Sequence, residues 1–190
     1  MPLDSESRWR LVRQKKAKPS NPENLESKIR TLEPGDLAQV HDIYNFYIQN
    51  GVATLDIELM TLAQWKDKAA WLESLGLPFI VAESPSGEIL GFAYLAPWRQ
   101  KAGFKRTAEN TIYLRPAAMG KRIGSRLLAE LLERAKKAGI REVLAVISDQ
   151  GAEASIRLHE SFGFKSQGHL ERVGFKLGKW IGTYLMQKSL

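Results

Sequence analysis

The stretch from Ala108 to Ala135, AENTIYLRPAAMGKRIGSRLLAELLERA, carries three local signals in a row. Ala108 to Leu114 reads as a strand. Met119-Gly120-Lys121-Arg122-Ile123-Gly124 is a glycine-punctuated turn. From Ile123 onward, Leu127, Leu128, Leu131, Leu132 and Ala135 recur at helical spacing, with Glu130–Arg134 and Glu133–Lys137 as i,i+4 pairs and Gly139 as a stop. A turn of this kind leaves backbone N–H groups without intrahelical partners at the positive end of the helix dipole, where a phosphate or pyrophosphate is favoured. Lys121 and Arg122 add charge there. The spacing is neither a Walker A loop nor G-x-G-x-x-G, and an ordinary βα turn carries the same pattern.

Outward from this unit, Ile29-Arg30-Thr31-Leu32 reads as a short strand, and Pro34-Gly35-Asp36 opens a helix with Leu37, Val40, Ile43 and Tyr44 on one face. A second helix is expected from Thr61 to Leu75 on the stripe Leu62, Trp65, Ala69 and Leu72. Phe79 to Glu83 and Ile89 to Ala96 are two strands joined through Pro85-Ser86-Gly87, and a basic, aromatic loop runs from Trp98 to Arg106. Val143 to Ile147 is continuously apolar, the pattern of a strand buried on both faces. A shorter helix over Ala152 to Phe162 ends at Gly163, and two further strands are expected from Phe164 to the C terminus. The order β-α-α-β-β-β-α-β-α-β-β predicts a mixed α/β sandwich with a central sheet.

Composition bounds the rest. The 190 residues are 44% hydrophobic and 26% charged, ordinary for a soluble globular protein. No apolar run approaches the roughly 20 residues of a membrane span, and no positively charged, then apolar, leader opens the chain. The expected location is therefore cytoplasmic, without membrane association. The absence of cysteine excludes disulfides, thiolate metal sites and cysteine nucleophiles. Residues 1–28 combine Pro2, Pro19 and Pro22 with dense charge and no apolar period, and read as a flexible basic tail before a folded domain at 29–190. The formal charge of +7 suits polyanionic partners of several kinds and selects none of them. Arg8 to Lys18 is either a nucleic-acid arm or a solvated tail, and nucleic acid is not the expected partner.

Two further groups of residues carry chemistry. Ser155 and His159 stand four apart, so they share one helix face; a histidine there is either a catalyst or a capping or core residue. Glu109 opens a strand beside the loop Trp98-Arg99-Gln100-Lys101. It reads either as a general base or as half of a surface ion pair with Arg99 or Arg106.

These residues form an ordered series with Tyr44-Asn45, Trp98-Arg99, Gly103-Phe104, Thr107-Ala108-Glu109, Ile112-Tyr113-Leu114, Gly120-Lys121-x-Ile123-Gly124, Ser155-Ile156-x-Leu158-His159-Glu160, Gly163-Phe164, Val173-Gly174-Phe175-Lys176 and Lys179-Trp180. The series resembles the phosphinothricin and methionine-sulfoximine N-acetyltransferases of the general-control-related (GNAT) acetyltransferase superfamily, over residues 29–190. The resemblance implies a splayed central β-sheet flanked by helices that holds acetyl-CoA between two strands. It places Ile112, Tyr113 and Leu114 along the pantetheine, Gly120, Lys121, Arg122, Ile123, Gly124 and Ser125 around the pyrophosphate, and Ser155 beside the cofactor. Arg99, Gln100 and Lys101 would meet the anionic end of a small amino-acid amine, with Glu109, Asn110 and Thr111 lining the opposite wall. Glu109 would act as base and His159 would protonate the leaving thiolate, in a direct transfer without metal. A homodimer is the implied assembly.

The chain departs from the family at Met119, usually Arg or Gln, at Arg122, usually Gly, at Ala152, usually Asn, and at Gly182, usually Asp. An arginine in place of a glycine restricts the backbone wherever φ must be positive. The competing readings are acetylation of a polyamine or a protein N terminus, a non-catalytic acyl-CoA-binding module, and nucleic-acid binding through the tail.

Overall fold

The computed structural model describes residues 27–190. The expected tail falls outside the described residues except for its last two positions. Ser27 accepts hydrogen bonds from Arg126, and Lys28 opens the first strand. The elements are β1 (Lys28–Thr31), α1 (Leu37–Asn50), α2 (Leu62–Ser74), β2 (Phe79–Glu83), β3 (Ile89–Pro97), β4 (Thr107–Leu114), α3 (Ile123–Lys137), β5 (Glu142–Ser148), α4 (Glu153–Ser161), β6 (Lys165–Lys176) and β7 (Lys179–Ser189). Their order is the one expected from the sequence.

Local chemistry sets the boundaries. Thr61 caps α2 through a reciprocal box with Gln64: the Gln64 N–H donates to Thr61 Oγ1 at 3.2 Å, and the Thr61 N–H to Gln64 Oε1 at 2.7 Å. The β2–β3 hairpin closes through a Gly87 N–H bond to the Ser84 carbonyl, at 3.0 Å, with Gly87 at φ 83. Arg30 ties β1 down by bridging Asp36 at 2.6 Å and Glu83 at 2.8 Å.

The seven strands form one sheet in the order β1-β2-β3-β4-β5-β7-β6. Every neighbouring pair is antiparallel except β4–β5, which is parallel and pairs only at Thr107–Glu142, Ala108–Val143 and Glu109–Leu144. By contrast β5 and β7 stay paired along all of β5, from Glu142–Ser189 to Ser148–Thr183. The sheet therefore splays beyond Glu109 on one side and Leu144 on the other.

Two apolar clusters fill the two faces. On one, Leu127, Leu128, Leu131 and Ala135 of α3 pack with Ala93, Leu95, Val143, Ala145 and Ile147. On the other, Trp65 of α2 is fully buried among Tyr44, Phe79, Phe92 and Tyr94. The α1–α2 layer rests on β2, β3 and β4. One expectation holds only in part: on the face of β5 away from α3, Leu144 and Ser148 are buried but Val146 is not. Val143, Ala145 and Ile147 face α3, but Val146 is 40% exposed on the other side, because β4 has parted from β5 at that level and the α1–α2 layer lies over its neighbours.

Candidate active site at the parting of two strands

Strand alternation divides β4 into two sets of side chains. Ala108, Ile112 and Leu114 pack into the cluster beneath α3. Tyr113 faces the other way, 5.1 Å from the Tyr44 ring and 5.8 Å from Phe92. Glu109 and Thr111 share the Tyr113 side, and Asn110 shares the α3 side. The wall expected from Glu109, Asn110 and Thr111 together therefore does not form.

Glu109 sits half-buried at the last paired position of β4. Burial raises its pKa above the ordinary carboxyl value, while the charges of Lys68 and Arg99 pull it back. Arg99 lies over the Trp98 ring at 5.0 Å. Gln100 and Lys101 are exposed, and Lys101 precedes a short 3-10 turn at Ala102–Phe104. Lys68 is absent from the sequence candidates. It projects from α2 over the Tyr94 ring at 5.2 Å and donates to the Tyr94 hydroxyl at 3.2 Å. In the sequence it is one polar residue among several on an amphipathic helix, and only the packing of α2 on β3 brings it here.

Residues 51–61 border the same side through contacts the sequence did not announce. The Tyr44 hydroxyl bonds Asp56 at 2.6 Å and Thr54 at 2.9 Å, and the Tyr113 hydroxyl donates to the Ala53 carbonyl at 3.0 Å. Buried Lys176 donates to the Thr54 carbonyl at 2.9 Å. Burial lowers the Lys176 pKa, and Asp56 partly restores it. The Tyr47 hydroxyl donates to the Leu114 carbonyl at 2.6 Å, and its own pKa is pushed up to about 12 by burial.

His159 lies on the opposite face, 1% exposed, with Phe164 edge-on at 4.9 Å. Its Nδ1 is 2.8 Å from the Ser155 carbonyl and its Nε2 is 3.1 Å from Asn110 Oδ1. Burial lowers its pKa, and the Ser155 carbonyl opposes that shift. The structure thus does not bring Glu109 and His159 together as a facing base and acid. Both ring nitrogens of His159 face acceptor oxygens, the Ser155 carbonyl and Asn110 Oδ1, and a neutral ring donates to only one of them.

The turn before α3 places Gly120 at φ 75 and Arg122 at φ 59, both left-handed. No side chain caps α3 at its N terminus. The first-turn amides of Ile123, Gly124 and Ser125 therefore meet no capping side chain, with Lys121 and Arg122 immediately before them. Gly124 is buried, and a Cβ there would touch Leu114 and Leu158 at 3.5 Å each.

The parted strands, the anion-ready turn and a desolvated carboxylate at the parting point coincide with a family match. The acetyltransferase (GNAT) family matches residues 38–164. This chain belongs to the GNAT acetyltransferase family. It is 36% identical over 172 residues to the L-methionine sulfoximine/L-methionine sulfone acetyltransferase of Salmonella typhimurium, covering 85% of this chain and 94% of that one. It is 34% identical over 162 residues to the phosphinothricin N-acetyltransferase of Alcaligenes faecalis, covering 85% and 82%. A crystal structure of a GNAT phosphinothricin acetyltransferase from Sinorhizobium meliloti in complex with AcCoA superposes with a TM-score of 0.82 at 36% identity, covering 86% and 88%.

The departures of this acetyltransferase from its family now have structural meaning. Position 122 does require a positive φ, so Arg122 carries backbone strain that glycine would not. Arg122→Gly is expected to raise stability by about 1 kcal/mol, the left-handed penalty less the greater freedom of glycine when unfolded. Urea titration of both forms reads this out; equal midpoints would show the turn to be relaxed. Gly182 lies against Asp149, whose Oδ1 accepts the Gly182 N–H at 3.0 Å and whose Oδ2 is 3.0 Å from His169 Nε2. Ala152 leaves α4 without a side-chain cap, and Met119 is exposed. Among the described residues no group of three or more His, Asp or Glu could hold a metal ion. No helix there is long and apolar enough to cross a membrane.

Proposed function

We propose that this acetyltransferase acetylates the amino group of a small acidic amino acid or analogue, of the phosphinothricin or methionine sulfoximine and sulfone type, by direct transfer from acetyl-CoA. The observation that carries the reading is Glu109: a desolvated carboxylate, flanked by the charges of Lys68 and Arg99, at the last paired residue before β4 leaves β5.

The residues fit acetyl-CoA. Beyond Glu109, β4 has no strand partner on its β5 side, which leaves room for an extended chain beside Ile112, Tyr113 and Leu114. The uncapped N terminus of α3, with Gly120, Lys121, Arg122, Ile123, Gly124 and Ser125, suits a pyrophosphate. When bound, acetyl-CoA supplies an activated acetyl thioester. Glu109 takes a proton from the substrate ammonium, directly or through one water, and frees the nitrogen lone pair. Its raised pKa makes it a stronger base than an exposed carboxylate. Arg99 and Lys68 meet the carboxylate or phosphinate of the amino acid and fix which nitrogen faces Glu109. The Tyr44–Thr54–Asp56–Lys176 contacts hold residues 51–61 over this side and keep it shaped.

The exposed apolar side chains Leu170, Val173, Phe175, Leu177 and Trp180 on the β6–β7 hairpin support pairing of two copies. Sedimentation that gives a monomer at every concentration would remove that part of the reading.

Free-thiol release from acetyl-CoA tests the substrate class, with methionine sulfoximine, phosphinothricin, methionine sulfone and spermidine offered in parallel. Turnover of the three anionic amino acids and not of spermidine is the expected result. Equal rates on the polycation would overturn the role given to Arg99 and Lys68.

A further inference from the structure

We propose that Asn110 is the positioning residue that sets the opening between β4 and β5, acting as a strut between Leu144 and His159. The consequence for cofactor affinity rests on the acetyl-transfer reading; the strut itself rests on geometry.

Asn110 is the first residue of β4 past the last paired position, Glu109–Leu144. It turns to the α3–α4 side and is 6% exposed. Its Nδ2 donates to the Leu144 carbonyl at 3.0 Å, which bridges the strands where their ladder stops. That bond fixes the amide, since the reverse orientation would set two oxygens face to face. Oδ1 then faces His159 Nε2, 3.1 Å away; because the Ser155 carbonyl at Nδ1 is also an acceptor, the two contacts are both hydrogen bonds only when the ring carries a proton on each nitrogen. The ring cannot swing aside, because Phe164 meets it edge-on and the Ser155 carbonyl lies at its other nitrogen.

One buried side chain therefore joins β4, β5 and α4, the three elements that border the parting. A buried amide whose two ends are both engaged is costly to disturb, because either broken bond leaves a desolvated polar atom. Changing Asn110 alters the spacing of β4 from β5 and the seat of α4 together, without touching any residue on the Glu109 side. The residues proposed to line the cofactor, Ile112 to Leu114 and Ser155, move with them.

The test compares the full-length wild type with Asn110→Ala and Asn110→Asp by calorimetric titration of acetyl-CoA, by KM for each substrate, and by the side-chain 15N resonances of His159 without ligand. Asn110→Ala should weaken acetyl-CoA binding about tenfold, the loss of one to two net hydrogen bonds, and change the amine KM less than twofold. The His159 Nε2 signal should lose its hydrogen-bonded shift. Asn110→Asp keeps the acceptor for His159 and loses the donor to Leu144, so it should retain the histidine signature while binding acetyl-CoA more weakly; it also serves if the alanine variant does not fold. Wild-type acetyl-CoA affinity in either variant, or an unchanged His159 signal in Asn110→Ala, overturns the strut. A wild type that binds acetyl-CoA yet acetylates none of the amines defeats the proposed substrate class and leaves the strut to be judged on affinity. If the wild type binds no acetyl-CoA, the transfer reading falls, and the His159 signal alone decides the strut.

Discussion

Glu109→Gln should lower kcat by about 10²–10⁴-fold, the usual worth of a positioned general base, and leave the fold intact. The amide matches the carboxyl in shape, so the loss falls on proton removal and little on either KM. The wild-type rate should fall as pH drops through the raised Glu109 pKa, and that acid limb should vanish from the residual activity of the variant. Stability follows the same sign. A carboxyl whose pKa is raised on folding contributes most below its unfolded value, and that contribution is lost as pH rises through the folded one. Once ionised, Glu109 is thus a liability, and above its folded pKa Glu109→Gln should be no less stable than the wild type. Pre-steady-state acetylation at several pH values, with urea titrations alongside, checks both parts. A variant retaining more than a tenth of kcat would remove Glu109 from the role of base.

Gly182→Asp, which restores the residue the family usually carries, should be among the most damaging single changes. A Cβ at this position would overlap Asp149 Oδ2 and approach the Leu170 carbonyl to 2.7 Å and His169 Nε2 to 2.8 Å. Two of these are a backbone oxygen and a carboxylate that already accepts the Gly182 N–H. Overpacking of this kind costs about 1–3 kcal/mol, and a second carboxylate beside Asp149 adds like-charge repulsion. A total of about 3 kcal/mol or more is expected from chemical denaturation. Adding Asp149→Gly to the same chain should recover much of it, because the two positions compete for one volume and one N–H. Simple additivity of the two substitutions would sink this account of the departure.

Most of the architecture was legible because it rests on local patterns. The stripe Ile123, Leu127, Leu128, Leu131, Leu132 and Ala135 is the buried face of α3 as read, and every one of those residues is 5% exposed or less. The stripe Leu62, Trp65, Ala69 and Leu72 placed α2 from Thr61, which is its N-cap. Gly87 marked the β2–β3 turn. The ordered motifs carried the family, since residue types at fixed intervals are a property of the chain before it folds.

The site was legible only in part. Glu109 and the glycine turn were visible as residue types, but the grouping of side chains was not. Period-two alternation sends Asn110 to the other face from Glu109 and Thr111, which the motif TAENT by itself conceals. Lys68 reaches the Glu109 side only because α2 packs on β3, with 26 residues separating Lys68 from Tyr94. Lys176 and Thr54 meet across 122 positions of sequence.

What the sequence alone determined is the set of elements and the family, because hydrophobic period, capping and turn chemistry act within a few residues. What only the tertiary structure decided is which charges surround Glu109, that Asp149 fills the space beside Gly182, that Arg122 is held left-handed, and that His159 is packed against Asn110. Those depend on the parting of β4 from β5 and on contacts between distant segments, where distance and burial set the energy and no local pattern records them.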